Sequence, residues 1–194
     1  MRRFVLVLAL VGCKAKNETS SASASSSTAS TVNTPASSCG EEVVTDEGVG
    51  QLRIGATVES IRQKCTVVRD TTAIGAEGMP ARKVAVAFSR DTLEAEVVNG
   101  RVWRIAVLSP RLRTADSLGE GTTIARLLQL KTPRGMTGEG NFFVASPEHC
   151  GMSFRLSITG AGARHGDLDS AGLARLPKSV VVPEVLIFGC PHTP

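Results

Sequence analysis

A chain of 194 residues with 42% hydrophobic residues and a formal net charge of +4 has the composition of an ordinary globular protein. The charge is too mild for a nucleic-acid binder, and one Trp with no Tyr offers no aromatic platform on which bases or sugars would stack.

The chain starts with the basic segment Met1-Arg2-Arg3, followed by an apolar run from Phe4 to Val11 and then Gly12-Cys13. A membrane span needs about 20 apolar residues, so this run suits an export signal rather than a permanent anchor. Residues 1–12 are read as a signal peptide. Leu10-Val11-Gly12-Cys13 resembles the lipobox of bacterial lipoproteins, which implies a lipid on the Cys13 thiol and cleavage just before it. Each buried CH₂ of such a lipid contributes about 0.8 kcal/mol, so two or three acyl chains hold a protein firmly on a bilayer. The same resemblance makes Lys14, where an Asp would favour inner-membrane retention, a pointer to the periplasmic side of the outer membrane. Cleavage would remove Arg2 and Arg3 and leave the side chains at +2.

Residues 13–38 are read as the lipidated Cys13 and a tether almost entirely of Ser, Thr, Ala and Asn, with one Pro35 and no apolar period. Such a segment reads as disordered and spans on the order of 25 Å, a spacer between lipid and domain.

Residues 39–194 have the length of one domain, and the sequence repeats within it. Leu52-Arg53-Ile54-Gly55-Ala56-Thr57-Val58-Glu59-Ser60-Ile61 lies over Leu118-Gly119-Glu120-Gly121-Thr122-Thr123-Ile124-Ala125-Arg126-Leu127. In each copy a Gly frees the backbone to turn, a Thr caps a helix, and an apolar stripe follows: Val58/Ile61/Cys65 or Ile124/Leu127/Leu128. Strands are expected over Lys83–Phe88, Thr92–Val98 and Val102–Leu108, then over Asn141–Ala145, Met152–Ile158 and Val180–Phe188. The fold expected is α+β, two degenerate helix-plus-antiparallel-sheet repeats in one compact domain, with repeat 1 at about 39–113 and repeat 2 at about 114–194.

Asn99-Gly100 marks a hairpin between the second and third strands. A three-residue loop with Gly100 left-handed would put Leu93, Ala95 and Val97 on one face with Trp103, Ile105 and Val107. That predicts a bulged hairpin with Trp103 in the core and Glu94, Glu96 and Arg104 facing water. Gly160 to Pro177 reads as a surface excursion with a helical turn at Ser170–Leu176.

Besides Cys13, the cysteines are Cys39, Cys65, Cys150 and Cys190, an even number that reads as two disulfides in an exported domain. Three connectivities are open. If the Met152 and Val180 strands pair antiparallel, Cys150 lies beside Cys190 and Cys39 is left for Cys65. The enzymatic alternative is a hydrolase or thiol enzyme using His149 and Cys150, although neighbours in a strand point to opposite faces. His165 with Asp167 and Asp169 offers a loop site for a metal, but a solvated polar loop explains the same residues. The spacing of His149, His165 and His192 matches no compact metal motif, and the glycines from Gly135 to Gly140 lack the Lys and helix of a phosphate loop. No cofactor or metal is expected. Arg101, Arg104, Arg111 and Arg113 gather near the end of the hairpin in sequence and are candidates for binding phosphate or carboxylate groups of an envelope partner.

The Gly-x-Thr turn entering a short helix, with Gly55, Thr57, Val58 and Ile61 and again Gly121, Thr123, Ile124 and Leu127, resembles the unit of the SmpA/OmlA (BamE-type) outer-membrane lipoproteins. It also resembles the tandem unit of the β-lactamase inhibitor protein. Ala56 stands where the SmpA group favours Met, and this chain has two copies instead of one. The resemblance implies helices packed on one face of an antiparallel sheet and a non-enzymatic role. The expectation is a lipid-anchored module that binds an envelope protein or cell-wall component and no nucleic acid.

Overall fold

The structure is a computed structural model and describes residues 39–74, 78–158 and 166–191. Cys13, Lys14, the tether, His165 and His192 lie outside the described residues. Three short strands come first: β1 (Val43–Thr45), β2 (Gly48–Val49) and β3 (Leu52–Arg53). Helix α1 (Val58–Lys64) leads into β4 (Val67–Ile74), β5 (Pro80–Phe88), β6 (Asp91–Val98) and β7 (Arg101–Val107). After β8 (Arg113–Thr114) and α2 (Ile124–Leu127) come β9 (Arg134–Gly138), β10 (Asn141–Ser146), β11 (His149–Arg155), α3 (Ser170–Leu173) and β12 (Glu184–Ile187).

The chain is mainly β, which corrects the expected α+β class. The apolar stripes are real, but they cover little more than a turn: Val58 and Ile61 are the buried residues of α1, and Ile124 and Leu127 those of α2. The β-branched run Thr66-Val67-Val68 takes the backbone into a strand straight after Cys65, which is already extended. Helices of seven, four and four residues cannot make a layer, so sheet carries the fold.

The eight-stranded sheet runs β4-β5-β6-β7-β12-β11-β10-β9, antiparallel throughout. The last strands of the two meanders meet in the middle, with Ile105 opposite Ile187, Ala106 opposite Leu186 and Val107 opposite Val185. A second sheet, β3-β2-β1-β8, is small and includes a parallel pairing of β1 with β8. Alternation places Val84, Val86, Leu93, Ala95, Ile105 and Ile187 on one face of the large sheet, buried in one core with Val44, Leu52, Ile61, Leu127 and Leu173. The helices and the small sheet therefore share one core with that face. Among the described residues, no element packs over the opposite face of the large sheet.

The two turn-helix segments make matching hydrogen bonds. Gly55 N–H donates to Val102 O (2.8 Å) and Val102 N–H to Ala56 O (2.9 Å), while Gly121 N–H donates to Val182 O (2.7 Å) and Val182 N–H to Thr122 O (2.9 Å). Gly55 and Gly121 have φ of 79° and 81°, values open to glycine at little cost. Thr57 and Thr123 cap their helices by accepting from Ser60 N–H and Arg126 N–H.

The β6–β7 hairpin differs from expectation at one residue. Val98 faces Arg101 across a two-residue turn, with Asn99 and Gly100 at φ of 51° and 75°. Val97 then faces Val102 and Glu96 faces Arg104, so the extra residue is Trp103, in the strand and not in the turn. The bulge sends Trp103 outward, 51% exposed, and corrects its expected place in the core. Beyond the bulge, Ala95 faces Ile105.

Cys39 is bonded to Cys65 and Cys150 to Cys190, with Cα separations of 4.5 and 5.0 Å. The first bridge ties the start of the described chain to the end of α1. The second joins the start of β11 to the residues following β12, as their antiparallel pairing requires. Two bridges suit an oxidising, exported compartment. Among the described residues no helix is long and apolar enough to cross a membrane.

Candidate functional site

On the open face of the large sheet, the outward residues of β5, β6, β7 and β12 line a trough. Its main hollow, about 640 Å³, runs from Val68 and Arg69 across Glu94 and Arg104 to Glu184 and Leu186. A second hollow of about 550 Å³ shares Glu96 and Arg104 with it, and a third of about 280 Å³ shares Glu139 with the second and Leu186 with the first. The three are contiguous.

Charged side chains fill the floor, and they are paired. Lys83 Nζ and Arg69 Nη2 lie 2.8 and 2.7 Å from the two oxygens of Glu94. Arg104 donates to Glu96 and, at 2.8 Å, to Glu139 Oε1, which β9 and β10 present from their connecting turn. Arg155 Nε donates to Glu184 Oε2 at 2.6 Å. Only 12% of the Arg104 side chain and 14% of Glu96 are exposed. Burial disfavours the Arg104 charge, but the Glu139 and Glu96 carboxylates outweigh it and hold the guanidinium above its ordinary pKa. The Lys83 ammonium, opposed by desolvation and aided by Arg69, keeps Glu94 below its ordinary 4.5. A floor of satisfied ion pairs has no free charge with which to capture a phosphate or another small ion.

Exposed apolar side chains stand along the trough. Among the described residues the exposed large hydrophobics are Val43, Val68, Ile74, Met79, Val98, Trp103, Leu108 and Met136, and all but Val43 and Ile74 line the trough. Trp103 stands edge-on to Phe188, ring centroids 5.9 Å apart. Exposed Trp and Met side chains beside a buried Arg are residue types enriched at protein-binding surfaces, with the charged pairs here at the centre of the trough.

The four arginines expected to gather do not. Arg104 lies on the trough floor. Arg101 donates to Gly55 O (2.8 Å), Arg111 grips Asp91 with two bonds (3.0 and 2.6 Å), and Arg113 donates to the carbonyls of Pro110, Ser117 and Glu120. The last three hold loops to strands.

His149 and Cys150 point apart. Cys150 is bonded to Cys190 and has no thiol to act as a nucleophile. His149 Nε2 lies 3.4 Å from Asp116 Oδ2, and its ring stands edge-on to Phe154 at 6.0 Å. Desolvation opposes ionisation of Asp116, but the Thr114 hydroxyl and His149 prevail and lower its pKa. Asp169 caps α3 by accepting from Gly172 N–H (2.8 Å). Gly135 to Gly138 belong to β9. One group of three potential metal ligands, Asp46 with Cys150 and Cys190, occurs among the described residues, and its sulfurs are bonded to each other. Alternation did point Glu94, Glu96 and Arg104 outward, but the trough was not legible, because β9 and the Glu139 turn that close it carry no apolar alternation.

No family model matches the sequence, and no curated protein matches it. In three dimensions the chain is similar to the crystal structure of the uncharacterized protein yfeY from Escherichia coli, with a TM-score of 0.55 and 17% identity over 75% of this chain and 98% of that one. At that identity the likeness shows the fold alone.

Proposed function

We propose that the protein is a non-enzymatic binding module of the bacterial envelope, anchored through a lipid on Cys13 to the periplasmic side of the outer membrane, and that the open sheet face docks another envelope protein. The observation that carries this reading is the collection of Trp103, Met79, Val98, Val68, Leu108 and Met136 along one trough whose charges are already paired. Apolar residues scattered singly over a surface need no explanation, whereas several gathered along one trough do. A protein surface suits it better than a cell-wall glycan, which would call for more unpaired hydrogen-bonding groups than this floor leaves. The matching turn-helix hydrogen bonds support a second element of the reading: the domain is two degenerate copies of one unit, meeting at β7 and β12.

The test is photo-crosslinking of the full chain in its native envelope, with the reactive group placed at Leu108, at Met79 or, as a control, at exposed Lys178. The two trough positions should yield the same adduct, lost with Trp103→Ala, and Lys178 should not. Adducts that are absent, or equal at all three positions, would defeat the docking reading. Retention of a Cys13→Ser chain in the membrane fraction would defeat the anchor separately.

A further inference from the structure

The strand at one edge of the large sheet, β4, is eight residues long and, among the described residues, pairs on one side only, with β5. The outward backbone groups of such an edge are a template for another strand, and proteins usually blunt them with Lys, Pro or a very short strand. Val67-Val68-Arg69-Asp70-Thr71-Thr72-Ala73-Ile74 contains neither Lys nor Pro. Its one bulge, at Val68, leaves a regular ladder from Arg69 to Ile74. Its charges are occupied by the molecule itself: Arg69 Nη2 donates to Glu94 (2.7 Å), while Asp70 accepts from Arg82 (2.9 and 2.7 Å) and from Arg62. Thr71 to Ile74 are all exposed.

We propose that β4 pairs antiparallel with the β4 of a second copy about a two-fold axis at Thr71, joining the two eight-stranded sheets into one. Symmetry requires each residue to face its mirror number across the axis, and alternation requires residues of one face to pair with each other. Three central registers satisfy both. An axis at Asp70 sets two carboxylates directly opposite each other, which is repulsive. An axis at Thr72 sets Asp70 against Ile74 of the partner subunit. The axis at Thr71 puts Thr71 opposite the partner's Thr71, Asp70 opposite the partner's Thr72 and Arg69 opposite the partner's Ala73. It has no like-charge pair, its one charge-on-apolar contact sets Arg69 beside the small Ala73 of the partner subunit while the guanidinium stays on Glu94, and facing threonines are favourable in antiparallel sheet. This self-complementarity selects a second copy over the strand of an unrelated chain. Because the axis stands normal to the sheet, both troughs open on the same side.

Sedimentation velocity of the purified full chain in detergent tests the arrangement. The wild type should sediment as a dimer, and Thr71→Lys, which sets two cations face to face at the axis, should abolish it. Thr72→Lys, placed opposite the partner's Asp70, should leave it intact. As a check independent of how Thr71→Lys folds, Thr71→Cys should give a covalent dimer on mild oxidation, whereas Met136→Cys on the opposite edge strand should not. A wild-type monomer overturns the proposal, including one that takes up the strand of another protein. So does a dimer indifferent to Thr71→Lys, or equal crosslinking at both cysteine positions.

Discussion

Arg104 on β7 and Glu184 on β12 occupy equivalent places about the Ala106–Leu186 pair at the centre of the large sheet, each two residues before it, and they carry opposite charges. Their partners are exchanged as well. Arg104 reaches across to Glu96 on β6, and Glu184 is reached by Arg155 on β11. The trough floor thus holds two ion pairs of reversed polarity at matching positions, which keeps it near neutral while leaving neither charge alone.

Reversing one member of such a pair should be far worse than reversing both. Arg104→Glu sets a third carboxylate beside Glu96 and Glu139 in a largely covered site, and it should cost roughly 3 kcal/mol in urea denaturation. Adding Glu96→Arg gives the first half the polarity of the second and should recover part of that loss, since the Glu139 carboxylate still faces position 104. A double variant no more stable than the single one would refute the pairing.

Acid should weaken the fold partly through Asp70. Hydrogen bonds from Arg82, resisted by desolvation and reinforced by Arg62, lower its pKa from 3.8 to about 2. Because the folded value is the lower one, Asp70 contributes its stability in full above 3.8 and loses it as pH falls from 3.8 to about 2. The stability gap between wild type and Asp70→Asn should therefore shrink across that window and be constant above it. Thermal melts at stepped pH measure it, and a gap that widened on acidification would contradict the assignment.

Thiol titration of the folded protein should find no reactive sulfur at Cys39, Cys65, Cys150 or Cys190, because all four are bonded. Replacing Cys150 and Cys190 together by Ser should lower stability by about 2–4 kcal/mol, since the bridge closes a long loop in the unfolded chain. A free thiol at Cys150 in the native protein would return it to the list of possible nucleophiles.

Gly151 and Gly140 separate packing from backbone effects. A Cβ on Gly151 would sit 2.3 Å from Asp46 O, inside the contact of the β1–β2 turn with β11, whereas one on Gly140 meets nothing and faces only its φ of 73°. Gly151→Ala should destabilise by several kcal/mol and Gly140→Ala by about 1 kcal/mol. Equal midpoints in denaturant would mean that the turn does not pack as described.

Local signals carried the parts of the fold that were legible in the sequence. Thr57 and Thr123 cap helices where the Gly-x-Thr pattern placed them, and five of the six expected strands appear with ends displaced by a few residues. The sixth, expected over Val180–Phe188, is regular only over Glu184–Ile187, because Val180 and Val182 bond to the α2 turn instead and Val181 to Ser157. The strands β1, β2, β3 and β8 are too short to show alternation, and β4 is exposed along most of its length, so neither left an apolar pattern to read. Trp103 was misplaced for a sharper reason: one extra residue reverses the side-chain parity of a strand, and hydrophobicity does not reveal where that residue sits.

The pairing of β7 with β12 also determines how this chain must assemble. Residues 105–107 meet 185–187, whereas β4 to β7 close as consecutive hairpins and each disulfide lies within its own half. Local hairpins form quickly, and contacts across long sequence separations are slow because loop closure precedes any gain. The midline therefore shuts after the hairpins on either side of it. Until it does, Ile105, Val107, Val185 and Ile187 lie on two open apolar edges, at the stage when association between unfinished chains competes with folding.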